Sequence, residues 1–177
     1  MSLTDAQEHL LDHWQKMHAL HSGIPARSDF RIQDIVAEAP YIVVLDILRD
    51  PDDFRYRLIG TAVLEHLRLD YSGQKLSGLD GKGPDSEVWK NLAIARDSGE
   101  PHFGKVPYVG KKSSREAAHT LYLPLAKDHT TPDKIILIAH YEVKKPIVGT
   151  ASHPKYSVAE LLSREELNSP IPPRSRS

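Results

Sequence analysis

The sequence predicts an α+β domain in which helices pack on an antiparallel sheet, on three observations. An amphipathic helical stretch opens the chain, two strand-like runs follow it, and three more strand-like runs lie beyond a helical middle. Two early and three late strands bracketing helices give an α+β layer arrangement rather than alternating βαβ units. The chain has 177 residues, of which 40% are hydrophobic and 27% charged, a composition that suits one domain with its own core.

Each element has a local reason. Thr4-x-x-Gln7 has the form of a capping box. After it, Leu10, Leu11, Trp14, Met17 and Leu20 recur at helical spacing and Gly23 ends the run, predicting a first helix over about 5–21. Ser28 or Asp29 is placed to cap a short helix carrying Phe30, Ile32, Ile35 and Val36. The apolar, β-branched run 41–48 predicts a strand, 49–53 a five-residue turn, and the alternating run 54–59 a second strand. A Gly- and Asp-rich loop over 71–85 leads to a helix over about 86–98, with Val88, Trp89, Leu92, Ala93 and Ala95 inward. Strands follow at about 102–109, 117–126 and 134–143, the last two forming a hairpin. Beyond Lys144 prolines gather and apolar content falls, so 146–177 reads as a partly disordered tail with one candidate helix at 158–167. The expected division is 1–28 for the first helix and its linker, 29–145 for the sheet domain, and 146–177 for the tail.

Composition removes several function classes. Without cysteine there are no disulfides, no thiolate catalysis and no Cys-based zinc or iron–sulfur site. A formal net charge of −1 supplies no field for nucleic acid or acidic membranes, so neither is expected as a partner. The apolar runs fall far short of the ~20 residues needed to cross a bilayer. The N-terminus has neither the basic nor the apolar region of a secretory signal, so the expectation is a cytoplasmic protein. Gly104 to Ser113 fails as a phosphate loop, because five residues separate its glycines and a strand is expected after it. No catalytic signature is present, and Asp52-Asp53 and Glu165-Glu166 read as solvated pairs.

Five strings occur in order: Trp14; Ile24-Pro25-Ala26-Arg27-Ser28-Asp29; Tyr56-Arg57-Leu58-Ile59-Gly60-Thr61; Gly73-x-x-Leu76-x-Gly78; and Leu121-Tyr122-Leu123-Pro124-Leu125. Together they resemble the bacterial family of stand-alone PAS domains, over about residues 10–143. The resemblance implies a five-stranded antiparallel sheet in the order 2-1-5-4-3, with helices on one face. It also implies a sensory or regulatory role in signal transduction, and it carries no catalytic residue, so no enzyme activity is expected.

Within that frame the residues nominate two places. Pairing across a five-residue turn would set Asp46 opposite Tyr56, on one apolar face with Ile42, Val44, Phe54 and Leu58. Asp46 and Tyr56, with Trp89 on the helix opposite, are therefore the candidate residues for a small-molecule ligand in a PAS cavity. Alternatively, Asp46 accepts a structural hydrogen bond and Tyr56 fills core. The first strand is apolar on both faces, and such strands are covered on both sides. The first helix is the expected cover for the second face, either within the chain or from a second subunit, with Trp14 and Met17 as interface anchors of a homodimer or partner contact. His9 and His13 stand four apart, but without a third ligand in the pattern no metal is expected, and no spacing marks a cofactor. The competing readings are a small enzyme using Asp46, Tyr56 or a histidine as acid–base group, and a purely structural dimerisation module.

Overall fold

A computed structural model describes residues 3–143 apart from 109 and 113. Its elements are α1 (Asp5–His21), β1 (Ile42–Leu48), β2 (Asp53–Ile59), α2 (Thr61–Leu64), α3 (Glu87–Ser98), β3 (His102–Pro107), β4 (Arg115–Leu125) and β5 (Lys134–Val143). The five strands form one antiparallel sheet in the order β2-β1-β5-β4-β3. The tail and its candidate helix at 158–167 lie outside the described residues.

The capping box forms as the sequence requires. The Thr4 side chain accepts from the Gln7 N–H at 3.4 Å, and the Thr4 N–H donates to Gln7 Oε1 at 3.0 Å. The buried Gln7 also donates through Nε2 to the carbonyls of His119 (2.9 Å) and Ile138 (3.2 Å), so the cap of α1 is fastened to β4 and β5. Leu10 and Trp14 complete the buried stripe of α1, and Trp14 Nε1 donates to the Pro124 carbonyl at 2.8 Å. They share one core with Ile42, Val44, Leu123 and Ile136. The other sheet face packs against α2 and α3 in a second core containing Val43, Leu45, Phe54, Trp89 and Leu92. Every residue of β1 before Leu48 is buried, because both faces of this strand are covered. The cover of the second face belongs to the same chain.

The structure corrects the sequence in three places. Residues 27–41 form three separate 3₁₀ turns rather than one helix; Phe30 and Ile35 are buried while Ile32 and Val36 are exposed. The stripe of α1 is also narrower than expected, with Met17 half-buried and Leu20 exposed.

The third correction moves a candidate residue. Leu48 pairs with Asp53, so the hairpin loop is 49–52, one residue shorter than predicted. Asp46 therefore pairs with Arg55, not Tyr56, while Tyr56 pairs with Leu45. A one-residue slip exchanges the faces of a strand. Phe54 and Tyr56 join Leu45 and Ile47 against α3, and Asp46 lies on the opposite face. A bulge between Val44 and Leu45 then absorbs Arg57 as the extra residue of β2. The physical reason for the slip is the partner that Arg55 gains: its Nη2 meets Asp46 Oδ2 at 3.0 Å, satisfying a carboxylate that is only 8% exposed.

Candidate functional site

Alternation in two strands aims small and phenolic side chains at one space under α2 and α3. On β4 these are Ala118, Thr120 and Tyr122; on β5 they are Leu137, Ala139 and Tyr141. The register sets Ala118 opposite Tyr141, Thr120 opposite Ala139, and Tyr122 opposite Leu137. The alanines leave room that large side chains would fill. The result is a cavity of about 110 Å³, closed on its other sides by Val43, Tyr56, Val63, His66, Lys82 and Val88. About 10–15 Å³ of such volume suffices for one water, so the cavity takes several waters or one compact organic molecule. A wider recess of about 420 Å³ adjoins it and shares Lys82, Val88, Val106 and Pro107, which places these residues at the entrance.

The polar groups of the cavity are held by packing. His66 stacks on Tyr141 with centroids 3.8 Å apart and planes 10° apart. Tyr108 packs edge-on to Tyr141 at 5.5 Å and donates its hydroxyl to the His66 carbonyl at 2.9 Å. The N–H of Lys111 donates to the same carbonyl, and that of Lys112 to the Tyr108 oxygen. This close approach requires Gly110, where a Cβ would overlap the His66 carbonyl oxygen and the Tyr108 ring. Lys82 places its ammonium 5.6 Å from the Tyr71 ring centre and has no carboxylate partner among the described ion pairs.

Burial sets the ionisation of the site. It raises the Tyr56 phenol well above its ordinary value, helped by the nearby Tyr71, Tyr122 and Tyr141. It raises Tyr122 likewise, with a hydrogen bond to Thr120 opposing, and pushes Tyr141 up to about 12 with Tyr108 contributing. Burial lowers His66, and the charges of Lys112 and Arg115 lower it further against the pull of Glu65. Desolvation lowers Lys82. At neutral pH the cavity thus offers neutral phenols, a neutral imidazole and one poorly solvated ammonium, and among the described residues no carboxylate lines it. Among the described residues, His66 Nδ1 is buried without a hydrogen-bond partner. Such an atom is costly unless something meets it.

Of the residues nominated from sequence, Tyr56 lines this cavity. Trp89 lies in the same core but beneath the wall, edge-on to Phe54 at 5.1 Å, and Val88 is the α3 residue that reaches the cavity. Asp46 is absent from it, on the far face with Arg55 and with Lys134 Nζ at 3.9 Å. Trp14 is buried within its own chain, and Met17 is partly exposed beside it. His9 and His13 do not form a pair: His9 meets Glu38 and His13 donates to the Asp29 carbonyl. Sequence reasoning missed His66, Lys82, Tyr108, Thr120, Tyr122 and Tyr141. Alternation along 118–122 and 137–141 could have exposed the strand residues, but nothing local marks the others.

Among the described residues, no helix is long and apolar enough to cross a membrane. No protein-family model matches the chain, and no curated protein matches it.

Proposed function

We propose that this chain is a PAS-type sensory domain that binds a small, acceptor-rich organic molecule in the cavity between the sheet and α2–α3, acting in cytoplasmic signal transduction. The observation that carries the reading is the polarity of the cavity wall: among the described residues it presents buried neutral phenols and the poorly solvated Lys82, with neither a carboxylate among them nor one paired with Lys82. Phenols and an ammonium donate, so the complementary ligand presents carbonyl or carboxylate oxygens. The 2-1-5-4-3 sheet order and the ordered strings that resemble PAS sequences support the family reading.

The experiment is native mass spectrometry of the protein taken from cells, compared with the Ala139→Leu variant. Ala139 lies opposite Thr120 in the middle of the cavity wall, so leucine there fills the space. The expected result is a retained small molecule in the wild type and its loss in the folded variant. A wild type that carries nothing and shows no thermal shift with a panel of small carboxylates and amides would overturn the reading and favour a structural module. Conversion of a bound compound would favour an enzyme.

A further inference from the structure

A second cluster shares no residue with the cavity. His21 ends α1, Asp29 closes the first 3₁₀ turn, and His129 sits in the β4–β5 connection. One ligand atom from each falls within 4.8 Å of the other two. We propose that His21, Asp29 and His129 bind a divalent transition-metal ion of the zinc type, which staples the end of α1 to the β4–β5 connection.

Two imidazoles and a carboxylate are a donor set that suits zinc, with a fourth position left to water. Bonds of about 2.0–2.1 Å at tetrahedral angles put neighbouring ligand atoms about 3.3 Å apart. His21 Nε2 and Asp29 Oδ2 already stand 3.2 Å apart. The rings of His21 and His129 stack with centroids 4.3 Å apart. Rotation of the exposed His21 side chain supplies the movement that brings its nitrogen and that of His129 onto one ion.

The ligands are oriented from behind. His129 Nδ1 lies 3.0 Å from the Ile24 carbonyl, which only accepts, so Nδ1 carries the proton and Nε2 of the neutral ring keeps its lone pair for a metal. A backbone carbonyl holding the far nitrogen of a ligand histidine is the usual outer-sphere support of such sites. Asp29 Oδ2 is fixed by the Ala26 N–H at 2.8 Å. The backbones are tied as well: the Ile24 N–H donates to the His129 carbonyl at 2.9 Å, and the Ala126 N–H to the Pro25 carbonyl at 2.9 Å. Gly23 allows this approach, since a Cβ there would stand 2.5 Å from the His129 oxygen.

The test is calorimetric titration of the metal-free full chain with ZnCl₂, with MgCl₂ as control. The expected result is one tight Zn²⁺ per chain, no Mg²⁺ binding, and a higher thermal midpoint with Zn²⁺. Loss of outer-sphere support alone costs 10–100-fold in metal affinity, so removing a ligand with His21→Ala should weaken binding by more than about 100-fold. His129→Asn should do the same while tolerating the left-handed backbone at this position (φ 60°). The variant His9→Ala, whose ring meets Glu38 and none of the three ligands, should bind as wild type. Co²⁺ in place of Zn²⁺ should give intense tetrahedral visible bands that His21→Ala removes. Zn²⁺ binding that survives both ligand variants, that is lost in the His9→Ala variant, or that never reaches one tight site per chain would overturn the proposal.

Discussion

Replacing Trp14 with alanine measures how much of the domain depends on α1. Trp14 is 2% exposed, packed between α1 and the sheet, and bonded through Nε1 to the Pro124 carbonyl. Truncating a buried tryptophan costs about 3–5 kcal/mol in lost transfer energy and residual cavity. A domain of this size shifts by about 2–4 °C per kcal/mol, so the midpoint should fall by about 6–20 °C. Trp14→Phe separates the two contributions. It keeps most of the apolar volume but removes the N–H, so it should cost about 1–3 kcal/mol, the range for a buried acceptor left short of a donor. Differential scanning calorimetry gives the midpoints, and light scattering gives the mass in the same samples. Because the burial is within one chain, the mass should not change. A Trp14→Ala protein with a midpoint within about 2 °C of wild type, or a mass that halves while the midpoint holds, would refute intramolecular packing of α1.

Two further outcomes follow from the cavity wall. Tyr56, Tyr122 and Tyr141 are held neutral in the folded chain but ionise near pH 10 when unfolded, so their contribution is fully present below pH 10 and is lost as pH rises. Each phenol should steepen the loss by up to about 1.4 kcal/mol per pH unit, and urea melts between pH 9 and 12 should show Tyr56→Phe less alkali-sensitive than wild type; equal slopes would contradict the burial of that hydroxyl. Gly110→Ala should lower stability by about 1–3 kcal/mol, the range for forced overpacking, because its Cβ would overlap the His66 carbonyl oxygen; hydrogen exchange should report faster amides at Lys111 and Lys112, and unaltered exchange would show that the segment does not clamp His66.

What the sequence reveals depends on how far apart the interacting residues lie. The capping box of Thr4 and Gln7, the α3 face of Trp89, Leu92 and Ala95, and the two-sided burial of β1 are local periodicities, and all were legible. The face of Asp46 was not, because it turns on one residue of loop length. Asp46 becomes the partner of Arg55 only in the register with the shorter loop, so neither residue alone announces the pair. Phe30 and Ile35 are five apart, a spacing that a single helix and a chain of 3₁₀ turns can both bury. The cavity gathers Tyr56, His66, Lys82, Tyr108 and Tyr141 from five segments, and no local pattern joins them.

The same geometry ties the two faces of the sheet together. Along β4 and β5 the residues that line the cavity alternate with residues that pack under α1: Thr120 and Tyr122 with Leu121 and Leu123, Leu137 and Ala139 with Ile138. The His119 and Ile138 carbonyls sit one residue from Thr120, Ala139 and Leu137, and both accept from Gln7 Nε2. Gln7 is 1% exposed, so a shift of either strand leaves a buried amide short of its acceptors, at a cost of about 1–3 kcal/mol. That is the size of typical coupling energies between sites. Under the sensory reading, a ligand biases α1 only if it binds one position of β4 and β5 better than another, since equal binding shifts nothing. Under that reading, Gln7 is where such a difference would act. It holds the strands through its side chain and caps α1 through its bonds with Thr4, so one residue carries both the sheet contact and the start of the helix.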